Sequence, residues 1–326
     1  MGMTSTLSLD KTSAPTSSDA KPVRLKVSTP SDLVATLPYM FGFTPHESII
    51  VLALDERRIV ASARVDAAAA DHLDELATPL GAVTTHGDSV IVVGWIDDVA
   101  QAQHAVAATA AVLGRVDQTI IVSRGRCRAG DGPWTDCPTS LEAAEQAGLE
   151  VLPDRQAVVK QVAGPGSKDK MAPKRWAAAR VKVMANTPRW RNDKARQLLL
   201  RGLSDINQLS TDDKFELAAL VHEGTVRDTL WGDVSDYMAG PHVKLWTSVV
   251  AVVPDAGAPA PLGLLAMAAW LSGEGALQTC CLQRGLAIDH EHSLLRLADS
   301  INMMGIHPGA WPDMRRSLLA LAHEGR

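Results

Sequence analysis

Val90-Ile91-Val92-Val93-Gly94-Trp95 is apolar at successive positions. A strand turns alternate side chains to opposite faces, so a run with nothing polar on either face belongs at the centre of a sheet covered by helices on both sides. The flanking segments extend the pattern. Upstream, residues 59–65 alternate, with Ile59, Ala61, Ala63 and Val65 on one face, and residues 67–80 read as a helix. Downstream, residues 99–113 place Val99, Ala102, Val106 and Leu113 on one side and end at Gly114, and residues 119–123 form a further strand. Strand, helix, strand, helix, strand predicts an α/β fold with a largely parallel sheet and right-handed crossovers. The apolar run 48–54 joins 59–65 through a turn at 55–58, a hairpin that makes the sheet mixed. A β-ribbon over 126–137 and a helix at 141–147 complete this half. Ser28-Thr29-Pro30 ahead of Leu33, Val34 and Leu37 reads as a capped helix start, and Phe41-Gly42 as its end.

The chain has 326 residues, which at roughly 100 to 200 per domain favours two domains. Residues 1–21 carry almost nothing large and apolar beyond Leu7 and Leu9 and are expected to form a disordered tail. The α/β domain is expected over 22–163. Gly164-Pro165-Gly166-Ser167 breaks every regular element and marks a linker over 164–170. Beyond it the periodicity predicts an all-helical C-terminal domain over 171–326, with helices at 173–186, 188–203, 211–230, 233–253, 261–272, 274–284, 292–304 and 312–323.

Hydrophobic residues make up 46% and charged residues 21%, values that exclude wholesale disorder and a collagen-like chain. Four cysteines are too few for a disulfide scaffold, so reduced thiols are expected. With no apolar run of about 18 residues and no signal-peptide layout, the expectation is a cytoplasmic protein without a membrane association.

Thr29-Pro30-Ser31-Asp32-Leu33-Val34-Ala35-Thr36-Leu37-Pro38-Tyr39-Met40-Phe41-Gly42-Phe43-Thr44-Pro45-His46-Glu47-Ser48 resembles the start of a mainly actinobacterial family called domain of unknown function 4192. Arg64-Val65-Asp66, Cys137-Pro138, Leu152-Pro153-Asp154-Arg155, Val226-Arg227-Asp228, and Leu262-Gly263-Leu264-Leu265 running into Ala269-Trp270-Leu271-Ser272-Gly273-Glu274-Gly275-Ala276-Leu277 resemble its later segments. The resemblance implies an actinobacterial or actinophage source and no catalytic residue. Relatives tend to hold paired cysteines before the proline of the ribbon, where this chain has Asp136-Cys137.

Charge is unevenly distributed. Residues 168–201 hold eleven basic residues (Lys168, Lys170, Lys174, Arg175, Arg180, Lys182, Arg189, Arg191, Lys194, Arg196, Arg201) against Asp169 and Asp193, a net of 11 − 2 = +9. The whole chain is −5, which leaves −14 for the remainder. Basic helices interleaved with Trp176 and Trp190 are suited to gripping phosphates by charge and stacking on exposed bases. The same residues also fit a plainer reading. Trp176, Ala179 and Val183 recur at the three-to-four-residue spacing of a core stripe, and the cations suit an acidic protein partner, the chain's own acidic remainder or a merely solvated helix face.

A second candidate site lies at the carboxyl ends of the strands, where open α/β sheets bind ligands. Asp66, Asp97, Asp98, Arg124 and Arg126 gather there, a set suited to Mg²⁺ and a phosphate, although Asp66 and Asp97 also stand at helix N-cap positions. Cys127 and Cys137 lack further zinc ligands at the usual spacing, and Cys280-Cys281 reads as a pair of small buried residues. His290-Glu291-His292 reads as a polar helix start, and Glu274 as a cap for the helix after it. No nucleophile elbow, metalloprotease, Walker or kinase motif is present. The expectation is therefore a binding or regulatory protein rather than an enzyme, without cofactor or metal. Its expected contact surface is the basic segment and nucleic acid its leading partner. The alternatives are a Mg²⁺-dependent nucleotide-binding or phosphoryl-transfer enzyme and a protein–protein interaction module, and self-association fits each of them.

Overall fold

The structure, a computed structural model, describes residues 5–9, 23–56, 58–146, 148–166, 169–232, 234 and 236–324. The chain divides into two compact units: Met1–Arg155 with Met303–His307, and Gln156–Asn302 with Pro308–Arg326. The first unit contains β1 (Ser5–Leu9), β2 (Val23–Val27), α1 (Pro30–Phe41), β3 (Ser48–Asp55), β4 (Arg58–Asp66), α2 (Leu73–Thr84), β5 (Ser89–Trp95), α3 (Val99–Leu113), β6 (Gln118–Ser123), β7 (Arg126–Ala129), β8 (Thr135–Asp136) and α4 (Glu142–Gln146). Local chemistry sets the ends of α1. Thr29 and Asp32 form a reciprocal capping box at its start, and Gly42 closes it at φ 76°, a conformation that suits glycine.

Six strands form one sheet in the order β4-β3-β5-β6-β7-β8. It is a mixed sheet, but it is not largely parallel: only β5 and β6 pair in parallel, while β3 is antiparallel to both β4 and β5. The alternation of strands and helices did predict that β4, β5 and β6 share one direction. It missed that β3 inserts between β4 and β5. The physical reason is burial, since β3 is buried at every position from Ser48 to Leu54 whereas β4 is half exposed, and the strand apolar on both faces takes the interior place. Successive residues of β3 serve opposite cores. Ile50 and Leu52 pack with α1 residues Val34 and Leu37, while Ile49 and Val51 pack with Leu80 of α2 and Val106 of α3. Each such fully buried side chain contributes about 1.5–3 kcal/mol.

The expected tail is partly a strand. Ser5–Leu9 pairs antiparallel with Val23–Val27, and the rest of residues 1–21 lies outside the described residues. Thr6-Leu7-Ser8-Leu9 has the two-residue alternation of a strand, and the backbone ladder supplies the ordering that composition alone did not suggest.

The second unit is helical: α5 (Arg155–Gln161, whose first residue belongs to the other unit), α6 (Ala172–Met184), α7 (Pro188–Ser204), α8 (Thr211–Val221), α9 (Gly224–Gly232), α10 (Ala239–Val250), α11 (Pro259–Leu271), α12 (Gly275–Ile288), α13 (Ser293–Met303) and α14 (Trp311–Glu324). The glycine-rich stretch expected as a linker lies inside this unit, where Arg284 donates to the Val162 carbonyl beside Gly164, with Ser167 and Lys168 outside the described residues. Helix α11 is buried on all sides from Pro259 to Trp270, which makes it the centre of the bundle. Trp231 stacks on Trp311 at 4.8 Å, Trp270 meets Trp311 edge-on, and the Trp311 indole N–H donates to the Val234 carbonyl at 2.9 Å. No helix among the described residues is long and apolar enough to cross a membrane.

Candidate functional site: the basic helices and their acidic neighbour

The basic segment folds as two helices. Ala172, Trp176, Ala179 and Val183 fall at helical spacing and turn inward on α6, and Ala195, Leu198, Leu199 and Gly202 do so on α7. Thr187 caps α7 by accepting the Trp190 amide, with Pro188 in the first turn. Trp176 is therefore a core residue and not a platform for bases. It is 9% exposed, lies against Gly257 and meets His222 edge-on at 5.7 Å. Trp190 is half-buried.

Many of the cations face the chain's own acidic residues, as one of the sequence readings allowed, on a helix whose carboxylates that reading did not name. Helix α8 and the two residues after it carry Asp212, Asp213, Glu216 and Glu223. Glu223 accepts from Arg180 at 3.0 Å and from Arg191 at 3.2 Å. Lys182 forms an ion pair with Glu216 and Arg201 one with Asp213, both at 2.8 Å, while Arg175 stands 3.9 Å from Asp212. Arg191 also closes the end of α6: its Nε donates to the Val183 and Asn186 carbonyls and its Nη2 to Met184. A cation at carbonyls left unpaired by a helix C-terminus is favourable both as a donor and against the helix dipole.

Titration follows this geometry. Burial raises the Asp213 carboxyl, but bonds from the Ser210 hydroxyl and amide and from Arg201 outweigh it and hold it below the usual carboxylate range. Burial, aided by Arg180, lowers His222. The carboxylates were legible as a series at 212, 216 and 223, positions that return to one face of a helix.

The outward sides differ in character. Lys174, Arg189 and Arg196 are exposed, and so is Arg175 beside its distant partner; Lys194 is half-buried with its Nζ 3.3 Å from the Gln197 side chain. Arg189 forms an exposed ion pair with Asp193 at 3.9 Å, of the kind that contributes little. Among these cations stand large apolar side chains: Val181 is 71% exposed, Met184 51% and Leu200 60%. The sequence reading did not single these out.

The strand-end residues do not converge on one ligand position. Asp98 caps α3 by accepting the Gln101 amide at 2.9 Å, so the N-cap role expected of Asp97 belongs to its neighbour. Asp97 accepts the Arg124 amide and donates its own N–H to Glu47 at 3.2 Å. Asp66 is paired with Arg64 at 2.6 Å. Arg126 faces Asp136 across the ribbon. Among the described residues no three His, Cys, Asp or Glu side chains come together as a metal site. The same edge holds two non-glycine residues in the left-handed region, Glu47 at φ 43° and Arg124 at φ 49°.

Residues 30–309 match the family described as "Domain of unknown function (DUF4192)", most of the chain. The chain belongs to this family. Comparison with curated proteins and with solved structures finds no match. Two of the segments that resemble DUF4192 have structural roles here. Arg227, 7% exposed, donates to Asp228 and Ser293 and lies 3.3 Å from the His292 ring, tying α9 to the start of α13. Desolvation and the Arg227 charge push His292 down to about 4, and its Nδ1 is buried without a partner among the described residues. Glu274 stands at the N-cap position of α12, yet it accepts from the Ser272 hydroxyl rather than from a helix amide, so the capping expected of its side chain is absent.

Proposed function

We propose that this DUF4192 protein is a non-enzymatic binding protein whose contact surface is the outward side of α6 and α7, and that its partner is an acidic amphipathic segment of another protein. One observation carries the reading: exposed Val181, Met184 and Leu200 stand among exposed cations. Phosphate binding needs cations alone, whereas a protein partner is held by apolar burial with charge setting orientation and approach. The inward side of the same helices supplies a template. There α8, with Phe215, Leu217 and Leu220 buried and its carboxylates turned to arginine and lysine, already satisfies that chemistry.

Nucleic acid, the leading partner on sequence grounds, loses support for two reasons. Trp176 is in the core, and at least four cations of the segment (Arg180, Lys182, Arg191 and Arg201) are committed to carboxylates. The strand-end aspartates, each with a different partner, offer the enzyme alternative no shared ligand position. The test is fluorescence anisotropy with a labelled peptide that alternates Glu with Leu and Phe at helical spacing. Binding should weaken about tenfold or more in Lys174→Glu/Arg189→Glu and likewise in Val181→Asp/Met184→Asp. Absence of binding, or binding that responds to charge reversal but not to the apolar variant, would overturn the proposal.

A further inference from the structure

Two of the four cysteines lie in the β7–β8 ribbon. In its register Cys127 stands opposite Thr135 and Arg126 opposite Asp136. The Cys137 N–H donates to the Gly125 carbonyl at 2.8 Å, so the ladder continues one residue past β8. Cys137 is thus two positions along from Thr135, and because side chains alternate, it shares a face with Cys127. Both sulfurs belong to the same apolar cluster, Cys127 fully buried and Cys137 packed against it half-buried. Diagonal neighbours on one face of a ladder stand about 7–8 Å apart at the backbone, just beyond the usual span of a disulfide, so joining these two requires the short terminal strand β8 to shift towards β7. The Cys127 Sγ also lies 3.4 Å from the Thr135 hydroxyl.

We propose that Cys127 and Cys137 form a reversible oxidation site, a dithiol that hydrogen peroxide converts into a disulfide across the edge ribbon. β8 is only Thr135–Asp136, both exposed, and it has a partner on one side alone, so local opening of this edge admits a small oxidant. The thiols are differentiated. Donation from Cys137, against the effect of burial, holds Cys127 below the ordinary thiol range, while the same interaction and burial push Cys137 above it. Cys127 is the nucleophile. Its thiolate attacks one peroxide oxygen; an S–O bond forms, the O–O bond breaks, and the departing hydroxide takes up the proton that the Cys127 thiol gave up on ionising, leaving as water. The Cys137 sulfur then displaces the sulfenic oxygen: the S–S bond forms, the S–O bond breaks, and the Cys137 proton leaves with that oxygen as a second water. Overall, one dithiol and one peroxide give one disulfide and two waters, and a thiol reductant reverses the change.

The test uses the full chain at pH 7.5, treated with hydrogen peroxide and then alkylated after denaturation. The expected product has lost two hydrogens, is alkylated at Cys280 and Cys281 only, maps to a Cys127–Cys137 cross-link and returns to four alkylated thiols after dithiothreitol. In Cys137→Ser the expected product is a Cys127 sulfenic acid that dimedone traps. Four alkylated thiols after peroxide, or a cross-link mapped to Cys280 and Cys281, would overturn the proposal in the unmodified sequence, independently of how any variant folds.

Discussion

Gly257 and His242 show how single residues are fixed by what packs on them. A Cβ built at Gly257 would lie 2.8 Å from the Trp176 ring, a contact neither group can relieve without moving the core stripe of α6. Gly257→Ala should therefore destabilise the protein by about 1–3 kcal/mol in urea unfolding. An unchanged midpoint would mean that Trp176 has room to move. His242 is 5% exposed, and its Nδ1 accepts from the Trp246 indole at 3.3 Å, which puts the proton on Nε2. Burial pushes its pKa down to about 4. The folded value lies below the unfolded one, so this contribution to stability is complete above about pH 6.5 and is lost as pH falls towards 4. Between pH 7.5 and pH 5 the loss attributable to His242 is about 2 kcal/mol. His242→Gln keeps an acceptor for the indole but does not titrate, so the stability difference between those two pH values should shrink by about that amount. A difference as large as that of the unmodified protein would assign the acid sensitivity to His292 and His222, whose pKa values are lowered as well.

At the scale of elements, the contacts of α8 explain why a continuous helix over 211–230 does not form. Periodicity carries unbroken through that stretch, but the helix ends at Val221 and a new one starts at Gly224. The break leaves Glu223 between Arg180 and Arg191, and two charge-assisted bonds outweigh the one or two helical bonds forgone. Glu223→Gln should cost about 2 kcal/mol in thermal or urea unfolding, because it leaves two partly buried guanidiniums facing a neutral amide. A loss below about 0.5 kcal/mol would show the cluster to be solvated in practice. What the sequence made legible follows the same division. Capping, turn and periodicity signals are local, and they located α1, α3, α7 and most of the helical unit to within a few residues. The place of β3 between β4 and β5, and the pairing of α8 with α6 and α7, depend on residues distant in sequence. So does the part played by Glu47, whose carboxylate accepts the Asp97 amide at the strand ends where the sequence already gathered Asp97 and Arg124.

In the whole molecule the uneven charge is partly compensated within the chain itself, one of the alternatives that the sequence left open. A segment of net +9 in a chain of −5 suggests a polyanion as partner, yet the carboxylates of α8 use up much of that charge within the same unit. What remains outward is a mixture of cations and apolar side chains rather than a basic stripe. The candidate surface was legible as a segment, because charge density is a property of composition. Its two sides were not, because they depend on which cations the fold turns towards α8. The salt dependence of anisotropy for a labelled mixed-sequence duplex DNA, titrated with the full chain, decides between the two partners. A protein-binding surface should give weak DNA binding at low salt with a log–log slope shallower than about −3, corresponding to the few cations left outward. A slope steeper than about −4, abolished in Arg189→Glu/Arg196→Glu and indifferent to Val181→Asp/Met184→Asp, would instead make the surface a nucleic-acid interface.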